Sequence, residues 1–437
     1  MLKVAKFGGS SVADAEQFKK VKNIIDSDPA RKIVVTSAAG KRYKEDHKLT
    51  DLLYLVHAHL NYGVSCDEII DSIEERFVEI RNDLGLKFDI ESEFGKFRKK
   101  LSKDFSVDEL VSRGEYFTSL LMAEFLGFQF VDAAEVVIFS FDGNIDKKKT
   151  YEAIKAAYDK YGKILIPGFY GRLPNGKIKV MSRGGSDISG ALAAAAVNAD
   201  VYENWTDVSG ILTADPRIVD NPAPIAYLTY PELKELASMG ASVLHEDAVQ
   251  PVKEAKIPLN IRNTNRPQDD GTMIIEKVDK ELVQDRFLTG VAGRKNFSIL
   301  TIRKHNLTSS STLIRALEVM DRYHIFVEHI TLGVDTFGMV VSTSDLGEYQ
   351  YDVISDLNDA CHPDDIATQD NIALVAAVGR KMTFRPGVSG KIFNALGEHG
   401  VNIKTIAQGA DELSIIVGVD NKNFDTAIRV LYDGFAG

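Results

Sequence analysis

Residues 2–12, LKVAKFGGSSV, and residues 32–40, KIVVTSAAG, decide the fold. The first stretch is a short apolar strand, Leu2 to Phe7, that stops at Gly8-Gly9-Ser10-Ser11. Between the two stretches, Phe18, Val21, Ile24 and Ile25 recur at a spacing that places them on one face of a helix. The second stretch is a buried strand that ends in another small-residue turn, Ser37-Ala38-Ala39-Gly40. Strand, glycine turn, helix, strand is a βαβ unit and predicts a largely parallel sheet. Working outward, residues 51–126 carry aliphatics at three- and four-residue spacing and read as mostly helical. Strands are expected again at Glu135–Phe139, Lys163–Ile166, Ala199–Tyr202 and Pro258–Ile261, alternating with helices. Residues 1–285 therefore read as one α/β domain with a large sheet sandwiched by helices.

The pattern changes beyond that point. Strands at 298–302, 325–330 and 337–342, with a helix at 312–323, are followed by the same order at 373–378, 388–399, 401–406 and 413–419. The two copies superpose without a gap at an offset of about 76 residues: Ile302 falls on Val378, Leu317 on Phe393, Met320 on Leu396, Ile325 on Val401 and Ile330 on Ile406. A shared apolar skeleton in one register predicts two similar small α+β modules, at 286–368 and 369–437.

Composition bounds the function. The 437-residue chain is 44% hydrophobic and 26% charged, enough for several cores, and its formal net charge is −11. An acidic surface argues against general nucleic-acid or anionic-membrane binding. Only two cysteines occur, Cys66 and Cys361, with no metal spacing and no disulfide framework between them. No signal-peptide core and no run near the roughly 20 apolar residues of a membrane span is present. A cytoplasmic protein is expected.

Four motifs carry chemistry. Lys6-Phe7-Gly8-Gly9-Ser10 lacks the P-loop ending, yet two glycines let backbone N–H groups approach an anion, with a lysine where open α/β sheets bind ligands. A tight structural turn is the alternative. Arg183-Gly-Gly-Ser186-Asp187 precedes an alanine-rich helix. Ser186 or Asp187 could cap that helix, while Arg183 suits a carboxylate or phosphate. Thr206-Asp207 and Thr213-Ala-Asp215-Pro-Arg217 form a polar stretch able to hold a nucleotide and its metal, or simply a solvated loop. Ser112-Arg113-Gly114-Glu115 has capping-box spacing at an expected helix start, and its glutamate could also take an ammonium group. No GxSxG, HExxH or GxGxxG occurs.

Taken in order, these motifs resemble the aspartokinase family across nearly the whole chain. KFGGSSV looks like the family's KFGGTSV, and Ser37-Ala-Ala-Gly-Lys41, Leu49-Thr50-Asp51, SRGE, SRGGSD, WTDVSGILTADPR and GASVLH follow in the family's order. The repeat resembles the family's tandem ACT modules, in which the last strand can return to the first module and interleave the two. The resemblance implies ATP-dependent phosphorylation of the L-aspartate side-chain carboxylate, with Mg²⁺. Lys6 would bridge the transferring phosphoryl group and the substrate, and Asp187 would orient Lys6 or the metal-phosphate group. Glu115 would hold the aspartate amino group and Arg183 its α-carboxylate, with Ser37, Thr50 and Ser186 lining the pocket. Gly8, Gly9, Ser10, Thr206, Asp207, Leu212, Asp215, Arg217 and Ser242 would meet the nucleotide.

By the same resemblance, an effector amino acid would bind around Asn306, Ser309, Ser311, Val327 and Glu328, where Glu328 favours lysine over threonine. Pairing through the modules would give a homodimer or higher homo-oligomer. The sequence departs from the family at Ser242, where many relatives have a lysine, at Leu212, where some have a tyrosine, and in the charged insertion Arg42–Lys48. Two other readings stand beside this one: another amino-acid kinase, and a catalytically weak amino-acid sensor.

Overall fold

A computed structural model describes the chain apart from residues 183, 242, 243, 245, 279–287, 306–309, 381, 383–385, 410 and 437. In chain order the strands are β1 (Lys3–Phe7), β2 (Arg31–Thr36), β3 (Gln129–Phe130), β4 (Ile164–Pro167), β5 (Tyr170–Arg172), β6 (Ile178–Val180), β7 (Val201–Thr206), β8 (Tyr227–Thr229), β9 (Leu259–Asn263), β10 (Thr272–Ile275), β11 (Gly290–Arg303), β12 (Val327–Leu332), β13 (Thr336–Ser342), β14 (Asp365–Val378), β15 (Ile403–Gln408) and β16 (Ser414–Asp420). The helices are α1 (Ala15–Asp26), α2 (Leu49–Tyr62), α3 (Asp67–Leu84), α4 (Ile90–Lys100), α5 (Val107–Leu126), α6 (Ala133–Val136), α7 (Lys147–Tyr161), α8 (Gly185–Ala196), α9 (Tyr230–Ser238), α10 (Gln250–Glu254), α11 (Ser311–Arg322), α12 (Thr343–Leu346), α13 (Gln350–Cys361), α14 (Val388–Glu398) and α15 (Phe424–Leu431). Among the described residues no helix is long and apolar enough to cross a membrane.

The chain divides into two compact units. The first comprises Met1–Ile211, Ala226–Tyr230 and Val243–Leu282; the second comprises Leu212–Ile225, Pro231–Ser242 and Val283–Gly437.

The first unit is built on an eight-stranded sheet in the order β3-β4-β2-β1-β7-β9-β10-β8. All its pairings are parallel except β9 with β10. The expected βαβ start is present: α1 buries Phe18, Val21, Ile24 and Ile25 against the sheet, and Asp14 caps it by accepting from the Gln17 N–H. Residues 51–126 form the helices α2 to α5. They share an aromatic core in which Phe94 stacks on Phe117 with ring centroids 4.1 Å apart and Phe77 and Phe97 close around them. One expected strand fails. At Glu135–Phe139, Asp132 caps the short helix α6, and Ile138 and Phe139 make only isolated bridges. The run of β-branched residues there is real, but the cap at Asp132 claims its first half.

At the N-terminal ends of the central strands lies a buried ionic group that no motif signalled. Arg31 Nε and Nη2 donate to the two Glu203 oxygens at 2.7 and 3.2 Å, and Lys3 and the Trp205 indole N–H complete the carboxylate's partners. Burial alone would raise the Glu203 carboxyl, but these partners hold it below its ordinary value. The opposite ends of the same strands carry the candidate site.

The second unit holds a six-stranded antiparallel sheet, β12-β13-β11-β14-β16-β15. The repeat is plain: β12 begins at Val327 and β15 at Ile403, 76 residues later. Each copy adds a second helix, α13 and α15, beyond the part that aligns without a gap. The long strands β11 and β14 are shared. The second half of β11 pairs with β13 and the first half of β14, while its first half pairs only with the second half of β14. Two separate cores sit under the sheet, one around Val319, Met320 and Leu357, the other around Ile392, Leu396 and Ile428.

Candidate active site

Lys6, Gly8, Gly9, Ser10, Ser37, Thr206 and Asp207 lie at the C-terminal ends of β1, β2 and β7, the edge of a parallel sheet where backbone groups beyond the last strand pairs are open to a ligand. The ladder runs just past the strand ends: Gly8 N–H donates to the Trp205 carbonyl, Ser37 N–H to that of Phe7, and Gly168 N–H to that of Thr36. The glycine turn and the serine loop then meet. Gly40 N–H donates to the Gly9 carbonyl at 2.8 Å, and a Cβ on Gly40 would lie 2.5 Å from Gly9, so no other residue fits.

Lys6 stands on β1 in register with Asn204 of β7. It is 7% exposed, and its Nζ lies 2.5 Å from Asp187 Oδ1. Asn204 Nδ2 donates to the same oxygen at 2.7 Å. A buried ammonium is thus held by one carboxylate, which a second donor aims. Asp187 and Ser186 are not caps. Gly184, with φ 76°, is the capping residue of α8 and makes no side-chain bond, and Ser186 and Asp187 lie within the first helical turn. That left-handed φ excludes most side chains and lets the chain turn sharply into α8. Arg183, just before it, lies outside the described residues.

Glu115 is not at a helix start either. The helix α5 begins at Val107, so Ser112 to Glu115 sit in its interior, and Ser112 Oγ donates back to the Glu109 carbonyl at 2.7 Å. Capping-box spacing was misleading because Leu110 and Val111 continue the buried face one turn earlier. Interior position gives Glu115 its chemistry. It is 6% exposed, the Ala38 N–H donates to it, and its Oε2 has no partner among the described residues. Burial pushes its carboxyl up to about 8.

Gly114, with Thr118 and Ser119, which sequence reasoning passed over, locks α5 to the serine loop and the end of β2. A Cβ on Gly114 would lie 2.8 Å from that of Ala38. Ala39 N–H donates to Thr118 Oγ1 at 3.0 Å, and Thr36 and Ser119 hydroxyls share a 2.6 Å bond. Their signal was available: buried small hydroxyls at 118 and 119 on an otherwise apolar face.

Ser37 follows β2, Thr50 lies in the first turn of α2, and Thr206 and Asp207 close β7, with Thr206 Oγ1 donating to Asp207 Oδ1 at 3.2 Å. Ser186 packs so closely that a Cβ on Gly168 would lie 2.7 Å from its Oγ. The remaining nucleotide candidates belong to the second unit. There Leu212 bridges to Pro224, and Arg217 pairs with Asp215 at 2.6 Å. Ser242 is outside the described residues. Of the effector candidates, Asn306 and Ser309 are likewise outside them. Ser311 opens α11, Val327 opens β12, and Glu328 pairs with Arg294 at 3.2 Å.

An α/β unit with an anion-ready edge, followed by tandem α+β modules, defines a class, and comparison with known proteins agrees. The amino acid kinase family model matches residues 1–263, and an ACT-domain model matches 375–435. Aspartokinase 3 of Bacillus subtilis is 32% identical over 99% of this chain and 98% of its own length. The crystal structure of Clostridium acetobutylicum aspartate kinase superposes with a TM-score of 0.93 at 44% identity, covering 99% of both chains. Escherichia coli aspartokinase III matches at a TM-score of 0.78, both with aspartate and ADP (26% identity, 99% of both chains) and with lysine and aspartate (25%, 100% of both). The chain belongs to the aspartokinases of the amino acid kinase family.

Proposed function

We propose that this protein transfers the γ-phosphoryl group of ATP to the side-chain carboxylate of L-aspartate. The bond from phosphorus to the β-phosphate oxygen breaks, a bond to the carboxylate oxygen forms, and ADP leaves. The acceptor is already an anion and needs no base. Catalysis is then alignment and charge neutralisation. Lys6, aimed by Asp187 and Asn204, faces the transferring phosphoryl group beside the Gly8-Gly9-Ser10 turn. The observation that carries the reading is Glu115: a buried carboxylate, one oxygen of which has no partner among the described residues, lies behind the serine loop and suits a substrate ammonium. Arg183 takes the α-carboxylate, and Ser37, Thr50 and Ser186 line the pocket. Thr206 and Asp207 serve the nucleotide.

The residues fit a Mg²⁺ ion carried on the phosphates. Such an ion needs only one or two protein carboxylates, and the described residues hold no group of three metal-ligating side chains. Asp187 is engaged by Lys6 and Asn204, whereas Asp207 is exposed and its carboxylate accepts, among the described residues, from its neighbour Thr206. Asp207 would hold the ion, which neutralises phosphate charge.

An assay that traps the acyl phosphate with hydroxylamine tests the reaction. Hydroxamate is expected to require ATP, Mg²⁺ and aspartate, with little formed from glutamate, whose extra methylene misplaces the reacting carboxylate. Equal turnover of glutamate would reassign the substrate, and no turnover with any amino acid would favour a sensor.

The second unit reads as the regulatory part, with lysine as effector at Ser311, Val327 and Glu328. Phe326, Leu332 and Val334 are exposed beside the edge strand β12, which suits pairing between two copies. Inhibition requires that lysine bind an inactive arrangement more tightly than the active one. Glu328→Ala is expected to relieve lysine inhibition while uninhibited turnover stays near normal. Inhibition curves that coincide for the two proteins would remove Glu328 from the effector site.

A further inference from the structure

The helix α3 buries Ile70, Ile73, Phe77 and Ile80 on one stripe, and an arginine, Arg76, stands in that stripe. It is 4% exposed. Burying a guanidinium is costly unless its hydrogens find partners. This one finds backbone carbonyls from three separate segments. Nη2 donates to Ala13 O at 3.2 Å and to Gly40 O, and Nη1 donates to His47 O at 3.4 Å. Its counter-charge is Asp46, whose Oδ2 lies 3.6 Å from Nη1.

Each of those segments carries part of the proposed site. Ala13 ends the turn that begins at Gly8. Gly40 ends the serine loop that begins at Ser37, and its own N–H is bound to Gly9. His47 leads into α2, where Thr50 occupies the first turn. The charged insertion Arg42–Lys48 is folded down by the same group. Asp46 accepts from the Arg42 N–H at 2.9 Å and from its Nε at 3.0 Å, and Arg42 reaches back to Glu79 of α3 at 3.1 Å. Burial works against the Asp46 charge, but the Arg42 hydrogen bonds and the Arg76 charge outweigh it.

We infer that Arg76, seated on Asp46, is a positioning residue for the acceptor pocket: one guanidinium sets the spacing between the glycine turn, the serine loop and the start of α2. It touches no substrate. The inference rests on the aspartate-kinase reading, because the pocket it shapes is the proposed aspartate site. Lysine cannot replace it, since a single ammonium lacks the planar fork that reaches three carbonyls at once.

The test is steady-state kinetics of the full-length protein carrying Arg76→Lys or Asp46→Asn, with melting temperatures measured alongside. Arg76→Lys is expected to raise the aspartate KM about tenfold or more, because the glycine turn, the serine loop and the start of α2 that line the proposed aspartate site lose their common spacing. The ATP KM is expected to rise less than the aspartate KM, since of the proposed nucleotide contacts only the glycine turn is tied to Arg76, while Thr206 and Asp207 lie at the end of β7. Asp46→Asn keeps the guanidinium, decides the question if Arg76→Lys does not fold, and is expected to raise the aspartate KM about threefold or more. A role confined to stability lowers the folded fraction and kcat while both KM values stay put, and that result overturns the inference. Absence of aspartate turnover in the unmodified protein would instead overturn the reading beneath it.

Discussion

Lys6→Ala is expected to lower kcat by about 10²–10³-fold, the loss seen when one preorganised charge-stabilising group is removed from a transition state. The aspartate KM should move little, because the amino and α-carboxylate ends of the substrate are held elsewhere. The size of the effect follows from the geometry. Lys6 is buried, so its field is weakly screened, and Asp187 holds it in one place with Asn204 fixing the carboxylate in turn. Little reorganisation remains to be done when charge develops on the phosphoryl oxygens. Single-turnover measurement with saturating ATP and aspartate reads the chemical step directly. Near-normal turnover in the variant, or a loss confined to KM, would remove Lys6 from the mechanism.

Glu115→Gln is expected to weaken aspartate binding about 30-fold or more. That is the lower end of the 2–5 kcal/mol lost when one partner of a buried charge pair is truncated. The same substitution should stabilise the ligand-free protein at alkaline pH. The folded carboxyl is raised by burial to about 8 from an ordinary 4.5. A group raised on folding contributes most below its unfolded pKa and loses that contribution as pH climbs to its folded value. Between about pH 4.5 and 8 the free protein therefore loses stability at this position, and glutamine abolishes that slope. Activity runs the other way. The ionised form takes the ammonium, so kcat/KM for aspartate in the unmodified protein should rise with pH toward about 8 and level off above it. Melting curves and kcat/KM profiles over pH 5–9 check both halves. A flat wild-type profile would mean that Glu115 does not titrate in the free enzyme, and unchanged affinity in the variant would mean that it does not hold the substrate.

The two variants separate two kinds of work. Loss at Lys6 appears in the chemical step, and loss at Glu115 appears in binding and in its pH dependence. A stability–function exchange at Glu115 is the expected signature of a group buried for a ligand rather than for the fold.

Some of this was legible from sequence alone. The βαβ start at residues 2–40 was readable because strand, turn and helix signals there are local and agree with one another. The tandem modules were readable because a repeat states the same apolar skeleton twice, so Ile325 and Val401 could be matched with no knowledge of what they touch. Local patterns failed where a signal a few residues upstream outweighed them. The run at Glu135–Phe139 has strand composition, yet Asp132 turns its first half into a helix. Ser112 to Glu115 has capping spacing, yet the helix starts at Val107. Only the tertiary structure placed Asn204 on Asp187, left one oxygen of Glu115 buried with no partner among the described residues, and threaded Arg76 among three backbone carbonyls. Those facts depend on which strands pair and which helix covers them. Local residue patterns were enough for the secondary-structure grammar and the glycine turns. The burial of charged side chains, and hence their chemistry, was decided by packing between segments far apart in the chain, because the desolvation of a charge depends on everything around it.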